Sequence, residues 1–205
     1  MPTLDQAVFF PVSLNLMGRK CVVIGPSDDR EAVEKEAALR ESGADVTWIR
    51  DAATLRDDDV IDAFFVISTP QDDALSARLR ALADRHRFLL CCIDQPAYGF
   101  VAMTAIAKAG PVRIAISTTG LAPRVGKRFK ERLQAAMDAT FVRFIECLAM
   151  QKTRMKRALP GPDHGAARRK AMIDAADGFD ITIDVRYPQW FEDELEGMRP
   201  RVTRR

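Results

Sequence analysis

Three stretches of this 205-residue chain carry residue types that could do chemistry. The first is Ser117-Thr118-Thr119-Gly120, small hydroxyl residues and a glycine ahead of a helical stretch. Backbone N–H groups at a helix start lack partners and favour anions. Arg124, Lys127 and Arg128 follow within one turn and on one side, so they can jointly face an acidic ligand. Arginine can hold a carboxylate through two parallel hydrogen bonds. The segment suits a ligand bearing several carboxylates; as a bare charge run it equally suits a solvated helix face. The second place is Asp94, just after the strand-like Phe88-Leu89-Leu90-Cys91-Cys92-Ile93. Open parallel sheets bind ligands at the carboxyl ends of their strands, and a carboxylate there can accept a proton. By residue type alone, Asp94 before Gln95-Pro96 also fits a plain turn.

The third place is a strand running through Gly25-Pro26-Ser27-Asp28-Asp29-Arg30 into a helix. A strand, glycine turn and helix can seat a pyrophosphate on the helix N-terminus. Of the usual G-x-G-x-x-G only Gly25 is kept, and Asp28 and Asp29 oppose a phosphate there, with Arg30 offsetting them. Taken alone the motif favours a phosphate-free turn. Asp28 and Glu31 are spaced as a capping box. Asp51 lies just past the next strand, where a carboxylate commonly holds the adenosine ribose. Arg50 beside it would suit a 2′-phosphate, so NAD and NADP both stay open, and the pair also fits a solvated loop.

The elements that must position these residues alternate in type. Strands are predicted at Lys20–Gly25, Asp45–Ile49, Ala63–Thr69 and Phe88–Ile93, from short β-branched or apolar runs. Helices are predicted at Asp29–Ser42, stopped by Gly43, and at Gln71–His86, with Leu75, Leu79, Leu82 and Ala83 on one face. That order implies an open, mostly parallel sheet covered by helices. Phe100–Ala107 and Val112–Ser117 read as a hairpin across Lys108-Ala109-Gly110-Pro111. A long helix then starts near Ala122 with Pro123 in its first turn. Its apolar stripe, Val125, Phe129, Leu133, Met137, Phe141 and Ile145, suits packing on another element, on a second subunit or in a core. Leu159–Gly165 breaks the pattern, and a short basic helix follows from Ala166 to Ala176. The tail carries Tyr187, Trp190 and Phe191.

Bulk properties exclude several classes. Hydrophobic residues make up 47% and charged residues 29% of the chain, which excludes a disordered polymer. A net charge of +2 gives no footprint for nucleic acid. No apolar run approaches bilayer length, and the start lacks the basic region of a signal peptide, so a cytoplasmic protein with no membrane partner is expected. The four cysteines, Cys21, Cys91, Cys92 and Cys147, lack metal-ligand spacing and are expected to be buried, reduced thiols. His86 and His164 have no partner at ligand spacing, so no metal site is expected.

Four stretches together carry a family resemblance: FFPVSLNLMGRKCVVIG, ALRESGADVTWI, CCIDQPAYGFVAMTAI and VRIAISTTGLAPRVGKRFKERL. They resemble the N-terminal module of siroheme synthase and the free-standing precorrin-2 dehydrogenase and sirohydrochlorin ferrochelatase proteins. The resemblance runs from Phe9 to Ala176. It implies an α/β fold, with a Rossmann-type, mostly parallel sheet followed by a β-hairpin plus long-helix dimerisation region and a small helical region. The implied divisions are 1–110 for NAD binding, 111–150 for dimerisation and 151–205 for the helical region and tail. The implied activity is NAD-dependent oxidation of precorrin-2 to sirohydrochlorin, in a homodimer. Asp94 stands in the place of the family's key aspartate. Gly25, Pro26, Ser27, Asp51, Ser68 and Thr69 fall on the cofactor side. Ser117, Thr118, Thr119, Gly120, Arg124, Lys127 and Arg128 fall on the tetrapyrrole. The chain departs from the pattern in the lost glycines, in two extra residues at that turn, and in Ser68-Thr69-Pro70-Gln71-Asp72, where the family has Ala-Thr-Asp. Two alternatives follow: an enzyme that also inserts Fe2+, and a non-catalytic tetrapyrrole carrier with an eroded nucleotide site.

Overall fold

The structure, a computed structural model, describes residues 9–198. Strands β1 (Lys20–Ile24), β2 (Asp45–Ile49), β3 (Phe65–Ser68) and β4 (Leu89–Cys92) form a parallel sheet in the order β2-β1-β3-β4. The side chains of β1, β3 and β4 alternate between two buried faces, as parallel strands covered on both sides must, whereas the edge strand β2 buries Val46 and leaves Asp45 and Thr47 exposed. Val22, Ile24, Val66, Leu90 and Cys92 pack with Leu75, Leu79, Leu82 and Ala83 of α3 (Asp73–His86), a core that also takes in Val60 of the short α2 (Asp58–Ile61). Cys21, Val23, Phe65, Ile67 and Cys91 pack on the other side with Ala32 and Leu39 of α1 (Arg30–Glu41). Cys91 and Cys92 thus enter opposite cores. Burial pushes the Cys91 thiol up to about 12 and raises Cys21 and Cys92 as well, which keeps these thiols protonated.

The helix start differs from the expected capping box. Asp29 caps α1, its carboxylate accepting from the Glu31 N–H at 2.9 Å; Asp28 lies one residue too early to reach that donor. The hairpin is also shorter than its sequence pattern. β5 (Ala105–Ala109) and β6 (Val112–Ile116) pair around Gly110-Pro111 alone, Gly110 taking φ 51°. Phe100 and Val101 instead donate to the Leu90 carbonyl at 2.8 and 3.0 Å, which holds 100–104 against β4 outside any strand.

The long helix is two helices, α4 (Pro123–Ala136) and α5 (Ala139–Ala158). Met137 leaves helical dihedrals, with φ −89° and ψ 65°, and is buried. The four-residue apolar spacing continues unbroken across that bend, so periodicity could not reveal it. The chain divides into two compact units there, 1–138 and 139–205. In the first unit Gln134 straps α4 to β5, donating to the Lys108 carbonyl at 2.6 Å and accepting from its N–H at 2.9 Å. In the second, Phe141 and Phe144 of α5 meet Phe179 at ring-centroid distances of 6.1 and 5.2 Å. This unit also holds α6 (Gly165–Ala175) and α7 (Gln189–Met198). Cys147, expected buried, is exposed on α5; α5 has no fully buried residue, so that position has no core to enter. No helix among the described residues is long and apolar enough to cross a membrane.

Candidate functional site

The strand order places β2 on one side of β1 and β3 on the other. Such a reversal opens a crevice outside the carboxyl ends of the two strands that flank it, here β1 and β3. The residue after β1 is Gly25 and the residue after β3 is Thr69, both buried. They fill the head of that crevice together. The Thr69 N–H donates to the Ile24 carbonyl at 3.0 Å, and its hydroxyl lies 3.5 Å from the same oxygen. That hydroxyl contact is long. The hydroxyl also serves the Asp29 carboxylate, which Thr69 first, and then the Glu31 and Ala32 N–H groups, hold below the usual aspartate range. Trp48 of β2 braces the turn from the far side, its indole N–H donating to the Gly25 carbonyl at 2.8 Å.

The residues of this edge fit a dinucleotide by their donors. No hydrogen bond uses the backbone N–H of Ser27 or Asp28 among the described residues, so two donors stand open at the turn, beside the start of α1, for phosphate oxygens. Pro26 supplies none. Asp51, at the carboxyl end of β2, spends one carboxylate oxygen on the Ala53 N–H at 2.9 Å. Its other oxygen has no partner among the described residues and suits a ribose hydroxyl. Arg50 lies beside it, its guanidinium 4.9 Å from the centre of the Trp48 ring. The Asp29 cap takes the Glu31 N–H out of reach of a phosphate, so the open donors are those of the turn itself. Ser68 is fully buried in β3, level with Ile24 and Cys92, and its hydroxyl has no hydrogen-bond partner among the described residues.

Asp94 follows β4, the next strand along the same edge. Its backbone takes φ 58°, a left-handed conformation that aspartate tolerates better than most residues. Its carboxylate is exposed and accepts from the Gln71 side-chain amide at 3.2 Å. The next residue, Gln95, is tied to α3: its carbonyl oxygen accepts from the Ser76 hydroxyl and its amide donates to Asp73, both at 2.7 Å. These two glutamines were invisible to sequence reasoning. Their partners lie 19 to 23 residues away, and no local pattern marks a side chain for a distant contact.

Ser117, Thr118, Thr119 and Gly120 form a tight turn before α4. Thr119 and Gly120 are left-handed at φ 53° and 77°, and the Thr119 N–H donates to the Ser117 hydroxyl at 3.2 Å. α4 packs on this turn at Gly126, where a Cβ would meet the Thr118 methyl at 3.4 Å, an ordinary van der Waals contact. Helices α1 and α3 carry aspartate caps, Asp29 and Asp72. α4 starts at Ala122 with no side-chain cap. Pro123 has no N–H and the Val125 N–H donates to the Ala122 carbonyl at 3.0 Å, so in the first turn the Arg124 N–H and the helix's cations are left for another anion. Arg124 and Lys127 make no ion pair among the described residues, and Arg128 has only an exposed contact to Glu131 at 3.4 Å. No hydrogen bond or ion pair among the described residues joins this segment to Gly25, Thr69 or Asp94. The described residues contain no group of three His, Cys, Asp or Glu side chains able to hold a metal ion.

Comparisons with known proteins agree with this geometry. Residues 12–105 match the family described as "Putative NAD(P)-binding". The siroheme synthase of Nitrosococcus oceani is 24% identical over 171 residues, covering 75% of this chain and 36% of that protein. The siroheme synthase of Gluconacetobacter diazotrophicus is 27% identical over 195 residues, covering 83% of this chain and 40% of that protein. The chain thus spans little more than a third of the curated relatives it matches. A solved structure described as "SirC, precorrin-2 dehydrogenase" superposes with a TM-score of 0.66 over 83% of this chain and 90% of that one, at 19% identity, and shares the fold.

Proposed function

We propose that this chain is a member of the family of the siroheme synthase N-terminal module, a reading its similarity to siroheme synthases supports, and that it oxidises precorrin-2 to sirohydrochlorin with NAD. One observation carries the reading. The ends of the neighbouring strands β1, β3 and β4 bring Gly25, Thr69 and Asp94 to one edge of the sheet. A dinucleotide site and a carboxylate base are the two parts such an oxidation needs. NAD, when bound, supplies the hydride acceptor. The chain's own residues do the rest. The Ser27 and Asp28 N–H groups take phosphate oxygens, and the free Asp51 oxygen takes a ribose hydroxyl. Asp94 is placed to accept the proton released from the substrate, so that of the two hydrogens removed one would leave as hydride to the nucleotide and the other as a proton to this carboxylate. The open start of α4, with Ser117, Thr118, Thr119 and Gly120 ahead of Arg124, Lys127 and Arg128, binds the acetate and propionate groups of the macrocycle.

Residues 1–110 are assigned to nucleotide binding, 111–150 to dimerisation and 151–205 to the helical region, in a cytoplasmic homodimer. Leu121, Val125 and Phe129 of the α4 region are exposed apolar residues, which suits burial against a second subunit. The acidic Asp29 cap on α1 favours a second reading, a tetrapyrrole carrier without redox chemistry. Mixing the protein with precorrin-2 and NAD, without iron, separates the two. The sirohydrochlorin spectrum appearing together with NADH is the expected result. Macrocycle binding with no oxidation by NAD or NADP would establish the carrier instead.

A further inference from the structure

We propose that Gln71 is a positioning residue that aims the Asp94 carboxylate across the sheet edge, an inference that rests on Asp94 being the base. Asp94 has little else to orient it. Its side chain is exposed, it follows the last strand of the parallel sheet, and its single side-chain partner among the described residues is the Gln71 amide at 3.2 Å. A carboxylate on an exposed turn samples several rotamers, and a proton acceptor must sit within hydrogen-bond reach of the proton it removes.

Gln71 is well placed to restrict it. It lies two residues beyond Thr69, whose N–H is fixed to the Ile24 carbonyl at 3.0 Å. Pro70 stiffens the link, and Asp72 anchors the far side by capping α3, accepting from the Ala74 and Leu75 N–H groups at 2.8 and 3.0 Å. The stretch from Thr69 to Asp72 is therefore held at both ends, and Gln71 is its reach toward β4. The backbone of Asp94 is held independently. Gln95 bridges Ser76 and Asp73, and its N–H donates to the Cys92 carbonyl at 3.2 Å. One glutamine fixes the turn and the other fixes the carboxylate. The segment that closes the nucleotide crevice is thus the segment that aims the base, so the base keeps a set position relative to the bound cofactor.

Steady-state oxidation of precorrin-2 by the full chain tests this, with Gln71→Leu, Gln71→Asn and Asp94→Ala. Gln71→Leu removes the donor from an exposed side chain. It should lower kcat about tenfold, the scale of one hydrogen bond to a charged group, with KM for both substrates, NAD affinity and Tm unchanged. Gln71→Asn, which keeps the amide on a shorter stem, should recover part of the loss. Wild-type kcat in Gln71→Leu alongside an inactive Asp94→Ala would overturn the positioning role and leave Asp94 as the base. Full activity in Asp94→Ala would remove the base assignment and the positioning role with it. A kcat loss that tracks a fall in Tm in both Gln71 variants would make the residue structural and also overturn the proposal.

Discussion

A Cβ on Gly25 would stand 2.2 Å from the Thr69 hydroxyl and 3.2 Å from the Ala32 Cβ, so the turn after β1 and the end of β3 fit together with no space for a side chain. Gly25→Ala must displace Thr69, and with it the contact that steadies Asp29. Overpacking of this kind costs about 1–3 kcal/mol. Lower Tm and NAD affinity weakened about tenfold are expected from thermal unfolding and titration calorimetry. Wild-type values for both would mean that the crevice has slack and that Gly25 does not shape it.

Asp94 should separate chemistry from binding. Asp94→Asn suits its left-handed backbone and still accepts from Gln71 through its amide oxygen. Loss of the base should reduce turnover by about 10²–10⁴-fold, while NAD titrates as in the wild type. Comparable turnover in the variant would take Asp94 out of the reaction.

Much of this arrangement was legible from residue pattern, and the gaps have physical causes. Strands β1, β3 and β4 fell inside their sequence patterns because a strand buried on both faces writes its burial directly into a run such as Cys21-Val22-Val23-Ile24, and the edge strand β2 matched its pattern to the residue with exposed Asp45 and Thr47 flanking buried Val46. The turn at Ser117–Gly120 was also readable, since three hydroxyl residues and a glycine sit in consecutive places and a proline follows three residues on. The bend at Met137 was not, because apolar spacing is the same whether a helix continues or restarts. The shift of the α1 cap from Asp28 to Asp29 turns on one residue of chain path. Gln71 and Gln95 were hidden for a different reason: their roles depend on partners that only the folded sheet edge brings within reach.

Reversing charge at the start of α4 should weaken the macrocycle and spare the nucleotide. Arg124 is unpaired among the described residues and Arg128 holds only its exposed contact to Glu131, so neither change dismantles a structural pair. Arg124→Glu with Arg128→Glu should weaken sirohydrochlorin binding about tenfold or more, and the wild-type affinity should fall with rising salt. Fluorescence titration at low and high salt reads both effects. Unchanged affinity would make this helix face merely solvated.

Glu41 at the end of α1 holds the hairpin to the sheet domain, meeting Lys108 at 2.5 Å and Arg113 at 2.8 Å. Lys108 first and Arg113 second hold its carboxyl below the usual glutamate range. A carboxylate with a depressed folded-state pKa stabilises the fold above its unfolded value, about 4.3. That stability is lost as pH falls through the lower, folded value. Both partners are exposed, so the effect is modest and sensitive to salt. Glu41→Gln should therefore lower Tm by a few degrees at most at pH 7. The gap between variant and wild type should narrow below about pH 4, and also in about 1 M salt. Melting curves from pH 7 to pH 3 provide the check. A gap that persists undiminished at the acid end would show that Glu41 acts through packing of its side chain, since a neutral glutamic acid and a glutamine would then differ where charge no longer does.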